Sequence, residues 1–307
     1  MRVSVCAAAL FLSAVSCSTD VSYRDRLSPY LYEDTKQLVA LVESAASLIE
    51  QEGEAAFPRF GVAGSQWLND QFYLFVYELG GTCAFHPVER ELVGQNLIDL
   101  QDLDGRPVIE MITAVGRRAE TDASDWVFYV WEESSKSRVP EWKSSYVRKA
   151  VTPGGKVYLV GSGLYNMKME RVFLEDRVNR AAHLITQKGT RAAFDELRNR
   201  ACPLHILNTY ITVTDRRGDI VVDPAFPTLV KKRNLSDFRD LTGRNISAEI
   251  AAGLETHDRM WLLSIWPRGE AHRPARHMMY TRKVTLDEQE YFVSATYVPA
   301  TPVWMSD

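Results

Sequence analysis

The chain has 307 residues, a formal net charge of −4 and 46% hydrophobic residues. At about 150 residues per domain, this length allows two domains, each large enough to bury a core. Lys, Arg, Asp and Glu are mixed along the chain and form no basic stripe, which argues against a nucleic-acid partner.

The beginning of the chain has the layout of a secretory signal peptide. Arg2 precedes an apolar run at 3–15, which is too short to span a membrane. The bond before Cys17 also resembles the cleavage site of a bacterial lipoprotein, in which Cys17 would carry the lipid. We expect residues 1–16 to be a signal peptide and 17–28 a tether. The mature chain would then be periplasmic or in the cell envelope, anchored by lipid or else secreted.

One stretch of the sequence occurs twice. Residues 73–87 are YLFVYELGGTCAFHP, and residues 210–224 are YITVTDRRGDIVVDP. NLIDLQDLDGR at 96–106 returns as NLSDFRDLTGR at 234–244, at almost the same spacing. An internal repeat of this length predicts two copies of one fold. We expect them at 29–166 and 167–303, and call these ranges module 1 and module 2.

Both copies show the same predicted order of elements: a helix, two strands, a second helix and three strands. In module 1 the helical patterns lie at 30–52 and 107–115, and the strand patterns lie at 73–78, 82–85, 126–131, 144–150 and 156–163. In module 2 a helical pattern at 167–188 stops at Gly189, a second lies at 246–254, and the last three strands are 261–266, 278–284 and 290–297. Short links favour antiparallel pairing. Each copy is therefore predicted to be an α+β unit, a five-stranded antiparallel sheet with helices packed on it.

Several of these strings together resemble a known family. WVFYVW at 126–131, EWKSSYVRKAVTPGGKVYLVGSGLYN at 141–166 and HPVERELVGQNLIDLQDLDGRPV at 86–108 are similar to the core of Cache domains, specifically the single Cache type 2 group. The resemblance implies a PAS-like fold and an extracytoplasmic sensor that binds small molecules. Such ligands are often short carboxylates such as pyruvate, lactate, acetate or propionate. It also implies a partner, such as a membrane receptor or kinase.

No sequence motif of catalysis is present. The sequence has no nucleophile elbow, H-E-x-x-H, P-loop or dinucleotide fingerprint, so neither an enzyme nor a cofactor is predicted. The acidic cluster at 99–104 lacks the EF-hand spacing, and we expect Asp102 to form a turn or cap. Cys83 and Cys202 occupy different places in the two copies, which favours two free buried thiols over a disulfide.

Candidate ligand-binding residues of module 1 follow from strand alternation and from the resemblance. Tyr129 and Trp131 share one face of their strand and would form an aromatic wall. Lys143 would neutralise a carboxylate, and His86 and Tyr146 would add hydrogen bonds. Lys143 and Tyr146 lie on opposite faces of a regular strand, so both can contact one ligand only if the strand bends. The alternatives are a core tryptophan, a histidine that bonds the loop backbone, and a surface lysine.

The same reasoning gives a second set in module 2. The matching candidates are Asp223, Trp266, His277 and Tyr280. Asp223 stands where module 1 has His86 and would repel an anion, so this pocket would prefer an amine or be structural only. Ser264 in place of Tyr129 would enlarge it, and Arg276 is a candidate cation. The alternative function is a structural or interaction module with vestigial pockets that docks on a membrane sensor or transporter.

Overall fold

The computed structural model describes residues 25–133, 137–268 and 273–299. The predicted signal peptide and the lipidation candidate Cys17 lie outside these ranges. Two five-stranded antiparallel sheets with helices packed on them confirm the predicted α+β fold of two units. No helix of the described residues is both long and apolar enough to cross a membrane.

The elements of the first unit match the predicted order. They are α1 (Glu33–Glu52), α2 (Phe57–Phe60), β1 (Phe75–Glu78), β2 (Cys83–Phe85), α3 (Val108–Gly116), β3 (Ser124–Glu133), β4 (Ser137–Val151) and β5 (Val157–Tyr165), with 3₁₀ turns at Gly53–Ala56 and Arg90–Leu92. The second unit repeats the order with α4 (Arg171–Arg198), β6 (Thr212–Asp215), β7 (Ile220–Val222), α5 (Ile246–Thr256), β8 (Arg259–Arg268), β9 (Arg273–Leu286) and β10 (Gln289–Tyr297), and a 3₁₀ turn at Pro227–Leu229.

Both sheets have the same strand order, β2-β1-β5-β4-β3 in the first and β7-β6-β10-β9-β8 in the second. In each, the hairpin that begins the unit lies at one edge and the third strand of the unit lies at the other. Identical topology is the expected result of duplication, and it allows positions of the two units to be compared through strand register.

Glycine ends or breaks both long helices where the sequence predicts it. Gly53 follows α1 with φ of 63°, and Gly189 within α4 has φ 77° and ψ 165°. A left-handed or extended glycine cannot continue an α-helix, and this conformation costs glycine little. α4 is therefore two helical segments that meet at a kink.

The first sheet carries an apolar core on each face. Trp126 and Phe128 pack on the α1 side, whereas Val127 and Tyr129 pack on the α3 side, which confirms the predicted alternation along β3. The α1 side contains the buried helical stripe. The α3 side is less completely filled, and it holds the candidate site.

The two units also contact each other through β3 and the start of α4. The ring centroids of Trp126 and Phe173 lie 4.7 Å apart. Arg177, which is 5% exposed, donates from Nη2 to the carbonyl oxygen of Trp126 at 2.8 Å. Its guanidinium also lies 5.2 Å from the ring centroid of Phe128. Strand β3, which borders the candidate site, is thus contacted on its opposite face by α4, the long helix of module 2.

Two further predictions concern single side chains. Cys83 and Cys202 are free and buried, which confirms the preference for thiols over a bridge. Asp102 accepts from the backbone N–H groups of Asp104 and Arg106 through Oδ1 and from that of Val130 through Oδ2. This carboxylate is a turn cap that also ties the loop to β3, as predicted.

Candidate functional site

Module 1 has a cavity between its sheet and α3. It measures about 310 Å³ out to its mouth, and its lining residues are Phe75, Tyr77, His86, Glu89, Val108, Ile109, Ile112, Tyr129, Trp131 and Lys143. Four residues predicted from the sequence, His86, Tyr129, Trp131 and Lys143, therefore come together on one small cavity. Apolar walls with a few convergent polar groups are typical of small-molecule sites.

Lys143 is the buried cation of this cavity, with 2% of its surface exposed. Its Nζ donates to the hydroxyl of Tyr73 and lies 4.5 Å from the ring centroid of Tyr73 and 5.2 Å from that of Tyr165. Within the described residues no carboxylate forms an ion pair with this ammonium. Burial of an unpaired cation costs several kcal/mol, which the aromatic faces offset only in part. The wall therefore carries a positive charge without an ion-pair partner among the described residues, while the one carboxylate of the lining, Glu89, lies beside His86.

His86 supplies a neutral donor beside this charge. Its Nδ1 accepts from the backbone N–H of Glu89 at 2.9 Å, so the ring proton is on Nε2, which lies 3.7 Å from Oε2 of Glu89. Burial, and then the charge of Lys143, lower the pKa of His86 to about 4. The ring is consequently neutral at pH 7. One nitrogen holds the loop, as the structural alternative predicts, and the other is a donor at the cavity.

Tyr129 and Trp131 form the aromatic wall. Their ring centroids lie 5.8 Å apart at an interplanar angle of 86°, the edge-to-face geometry that aromatic pairs prefer. The hydroxyl of Tyr129 is 3.0 Å from Oγ of Ser145 on the neighbouring strand. This bond fixes the orientation of the phenol ring.

Glycines on β5 make room for the groups that surround Lys143. Gly161 lies directly opposite Phe75 in the β1–β5 register, and a Cβ there would come within 2.6 Å of the Phe75 ring. A Cβ on Gly163 would lie 3.0 Å from Cε of Lys143. Tyr73, Phe75 and Tyr165 also neighbour the cation, and they were not predicted from the sequence. Glycine inside a strand signals such a close approach, and it was the available clue.

Two predicted tyrosines lie on the other face of their sheets. The hydroxyl of Tyr146 donates to Oε1 of Glu43 on α1 at 2.7 Å. β4 pairs with β5 residue by residue from Lys143 onwards, so the bend that would bring both side chains to one ligand is absent from this stretch. Tyr280 of module 2 likewise contacts α4, with its hydroxyl 3.4 Å from Oδ1 of Asn179. Both tyrosines therefore contact the long helices α1 and α4, and neither is among the residues that line the cavity of its module.

Module 2 has a larger cavity in the equivalent place, between its sheet and α5. It measures about 860 Å³ out to its mouth. Of the four candidates in module 2, all within the described part of the chain, Trp266 alone lines it. His277 pairs with Ser264 across β8 and β9, just as Lys143 pairs with Tyr129, but it lies outside the lining.

Asp223 caps a loop of module 2, and this role explains why it can replace His86. Its Oδ1 accepts from the backbone N–H groups of Ala225 and Phe226 at 3.0 and 2.9 Å. This is the same loop cap that Nδ1 of His86 provides in module 1. The exchange therefore preserves a turn, and it places no carboxylate on the cavity wall of module 2.

The family comparison finds a Cache domain at residues 62–171, which include β1 to β5 of the first unit, and the matching model is dCache_2 and not the single Cache type 2 group expected from the sequence. A periplasmic sensor domain of a chemotaxis protein is 24% identical, covering 50% of this chain and 99% of its own, with a TM-score of 0.32. A Cache chemosensory domain described as recognising carboxylic acids is 23% identical, covering 48% and 98%, with a TM-score of 0.32. The ligand-binding domain of an amino acid chemoreceptor of Pseudomonas aeruginosa PAO1, in complex with GABA, is 14% identical, covering 90% and 95%, with a TM-score of 0.31.

Proposed function

We propose that the protein is an extracytoplasmic small-molecule sensor whose module 1 binds a short organic acid. The observation that carries the proposal is Lys143, an ammonium on the cavity wall that is 2% exposed and has no carboxylate partner among the described residues. A ligand carboxylate would supply the missing anion. The Cache domain found at residues 62–171 supports a binding role for the same part of the chain.

The cavity offers distinct contacts to the two ends of such a ligand. Lys143 would pair with one carboxylate oxygen, and Nε2–H of His86 would donate to the same group. The rings of Tyr129 and Trp131 and the side chain of Ile109 on α3 line the remaining wall and would contact the carbon chain. The enclosed part of this cavity is only about 20 Å³, so the ligand is restricted to a few carbon atoms and the walls must move apart to admit it.

A thermal-shift and calorimetric experiment tests this assignment. Acetate, propionate, lactate and pyruvate are each added to the purified protein, and an acid that binds the folded state raises the melting temperature by mass action. Lys143→Met should abolish that shift. The matched control is Lys149→Met on the same strand, because the Lys149 ammonium donates to the carbonyl oxygen of Arg118 at 2.9 Å, away from the cavity, and the shift should persist.

Two results would contradict the proposal. A shift retained by Lys143→Met would remove that residue as the counter-ion. A panel without any binder would favour the interaction module with vestigial pockets, and reproducible co-purification of a membrane receptor would then support that alternative.

Export, anchoring and the nature of module 2 belong to the same proposal. The apolar run at 3–15 and Cys17 support a lipid-anchored protein of the cell envelope. The repeat and the shared strand order support a second Cache domain in module 2. Mass spectrometry of the N-terminal peptide should find a lipid on Cys17, and Cys17→Ser should move the protein to the soluble fraction. A wild-type peptide that begins elsewhere or carries an unmodified Cys17 would refute the anchor.

A further inference from the structure

The cavities of the two modules differ in size because three rings of module 1 are replaced. Phe75, Tyr77 and Tyr129 surround the cavity of module 1. Strand register places Thr212, Thr214 and Ser264 at the corresponding positions of module 2. Each replacement removes a six-membered ring from the sheet face. The enclosed space accordingly grows from about 20 to about 220 Å³.

The enlarged cavity has a hydroxyl-bearing floor in place of the lost rings. Thr212 lies opposite Ser294 where Phe75 lies opposite Gly161. Oγ1 of Thr212 donates to the Ser294 carbonyl oxygen at 3.3 Å, and the Ser294 hydroxyl is 2.9 Å from that of Thr281. These bonds satisfy the small polar groups on the sheet without filling the space above them.

The charged residues of this cavity stand at its rim and neutralise one another. Arg217 is 83% exposed and pairs with Asp215 at 3.3 Å. Arg216 is 59% exposed and pairs with Glu290. Deeper in the cavity, the described lining residues are apolar or hydroxyl-bearing, and none resembles the buried ammonium of Lys143. A charged ligand would lose hydration there without gaining a counter-ion.

Two stacked rings bound the cavity at one side. The centroids of Phe238 and Trp266 lie 4.5 Å apart at 18°, and the indole is fixed by a 2.9 Å hydrogen bond from Nε1 to Oγ of Ser264. Ile250 and Met279 line the same space, and a thioether contacts aromatic rings favourably. A rigid aromatic and aliphatic wall favours a flat ring, which can pack on it with little loss of conformational entropy.

We infer that the cavity of module 2 binds an uncharged, planar aromatic molecule with one or two hydrogen-bonding groups. The apolar walls contact the ring, the Thr212 hydroxyl oxygen accepts from a donor of the ligand, and the Thr214 hydroxyl bonds a further polar atom. Module 2 thus senses a chemical class different from the anion proposed for module 1. The inference depends on the module 2 cavity alone, so the two proposals can fail separately.

Indole is a suitable probe, and indole-3-carboxylate is its charged counterpart. Isothermal titration calorimetry of the full chain should show indole binding, with indole-3-carboxylate at least tenfold weaker. Thr214→Tyr restores the ring that Tyr77 supplies in module 1 and should weaken indole at least tenfold. Ser236→Phe blocks the mouth at an exposed lining position, so it tests the cavity without altering the core, and it should weaken indole similarly.

The variants of module 1 separate this result from the carboxylate assignment. Lys143→Met should leave indole affinity unchanged, and Thr214→Tyr should leave any shift caused by propionate unchanged. Failure of indole to bind the wild-type protein would overturn the inference. Equal or tighter binding of indole-3-carboxylate would do the same, as would unchanged indole affinity in Ser236→Phe.

Discussion

Lys143→Met should stabilise the ligand-free protein while abolishing carboxylate binding. The side chain is 2% exposed, and methionine has a similar length and no charge. Substitution therefore removes a buried cation without opening a large void. A residue that serves only the fold would show the opposite behaviour, because core substitutions ordinarily lower stability.

The magnitude follows from the surroundings of the ammonium. An unpaired buried ion costs several kcal/mol. The aromatic face of Tyr165 returns about 1–2 kcal/mol, and the charged hydrogen bond to Tyr73 returns about 2 kcal/mol. Replacement of a buried charge by an apolar group should then add about 1–2 kcal/mol to the free energy of unfolding. For a unit of this size, that gain corresponds to a rise of roughly 2–8 °C in melting temperature.

Urea unfolding at pH 7, followed by circular dichroism, measures the change directly. The midpoint should rise in Lys143→Met at unchanged slope, since the slope reports the surface exposed on unfolding. Lys149→Met controls for the loss of a positive charge from β4 and should change stability by less than about 1 kcal/mol. A midpoint in Lys143→Met that falls by more than that of the control would refute the idea of an uncompensated cation.

The other predictions concern pH, the donor and the packing of β5. Burial lowers the pKa of His86 and His205 to about 4 in the folded state. Between pH 6.5 and 4 the unfolded state therefore binds more protons, and the free energy of unfolding falls as the pH is lowered, by up to about 3 kcal/mol per histidine. A urea midpoint that stays constant from pH 7 to 4.5 would contradict this. His86→Asn should retain the loop cap, because a side-chain oxygen provides this cap in module 2. It should lower the affinity for the carboxylate by about tenfold in calorimetry. An unchanged affinity would show that the Nε2–H group does not contact the ligand. Gly161→Ser should lower the melting temperature through its clash with the Phe75 ring, and Phe75→Thr should restore part of the loss because the pair then matches module 2; additive losses in the double variant would refute this coupling.

The fold was predictable because the sequence signals that specify it are local and occur in both copies of the repeat. Apolar periodicity located the helices, and alternation located β3 and its two faces. The start of β4 was missed, since the sequence pattern begins at 144 whereas the strand begins at Ser137. The segment before 144 contains Pro140, Glu141 and Lys143 and therefore lacks the apolar alternation by which strands are recognised.

The site was predictable only in part because its geometry depends on pairing between strands. Lys143, His86, Tyr129 and Trp131 could be proposed from residue type and face. The relation between Phe75 and Gly161 could not, because it requires the β1–β5 register across a separation of many residues. The exchange of His86 for Asp223 was interpreted from the sequence as a change in ligand preference. In the structure both side chains accept hydrogen bonds from backbone N–H groups of the loop. Hydrophobic periodicity contains no information about such caps.

Strand β3 connects the candidate site of module 1 to module 2 without an intermediate layer. Successive side chains of a strand point to opposite faces, so Tyr129 borders the cavity while Phe128 and Trp126 contact Phe173 and Arg177 of α4. A ligand that pulls Lys143 and Tyr129 together would act on the β3–β4 pair, in which these residues are opposite. Close-packed interiors do not deform continuously. A shift of β3 would therefore displace the start of α4, the helix on which the sheet of module 2 packs.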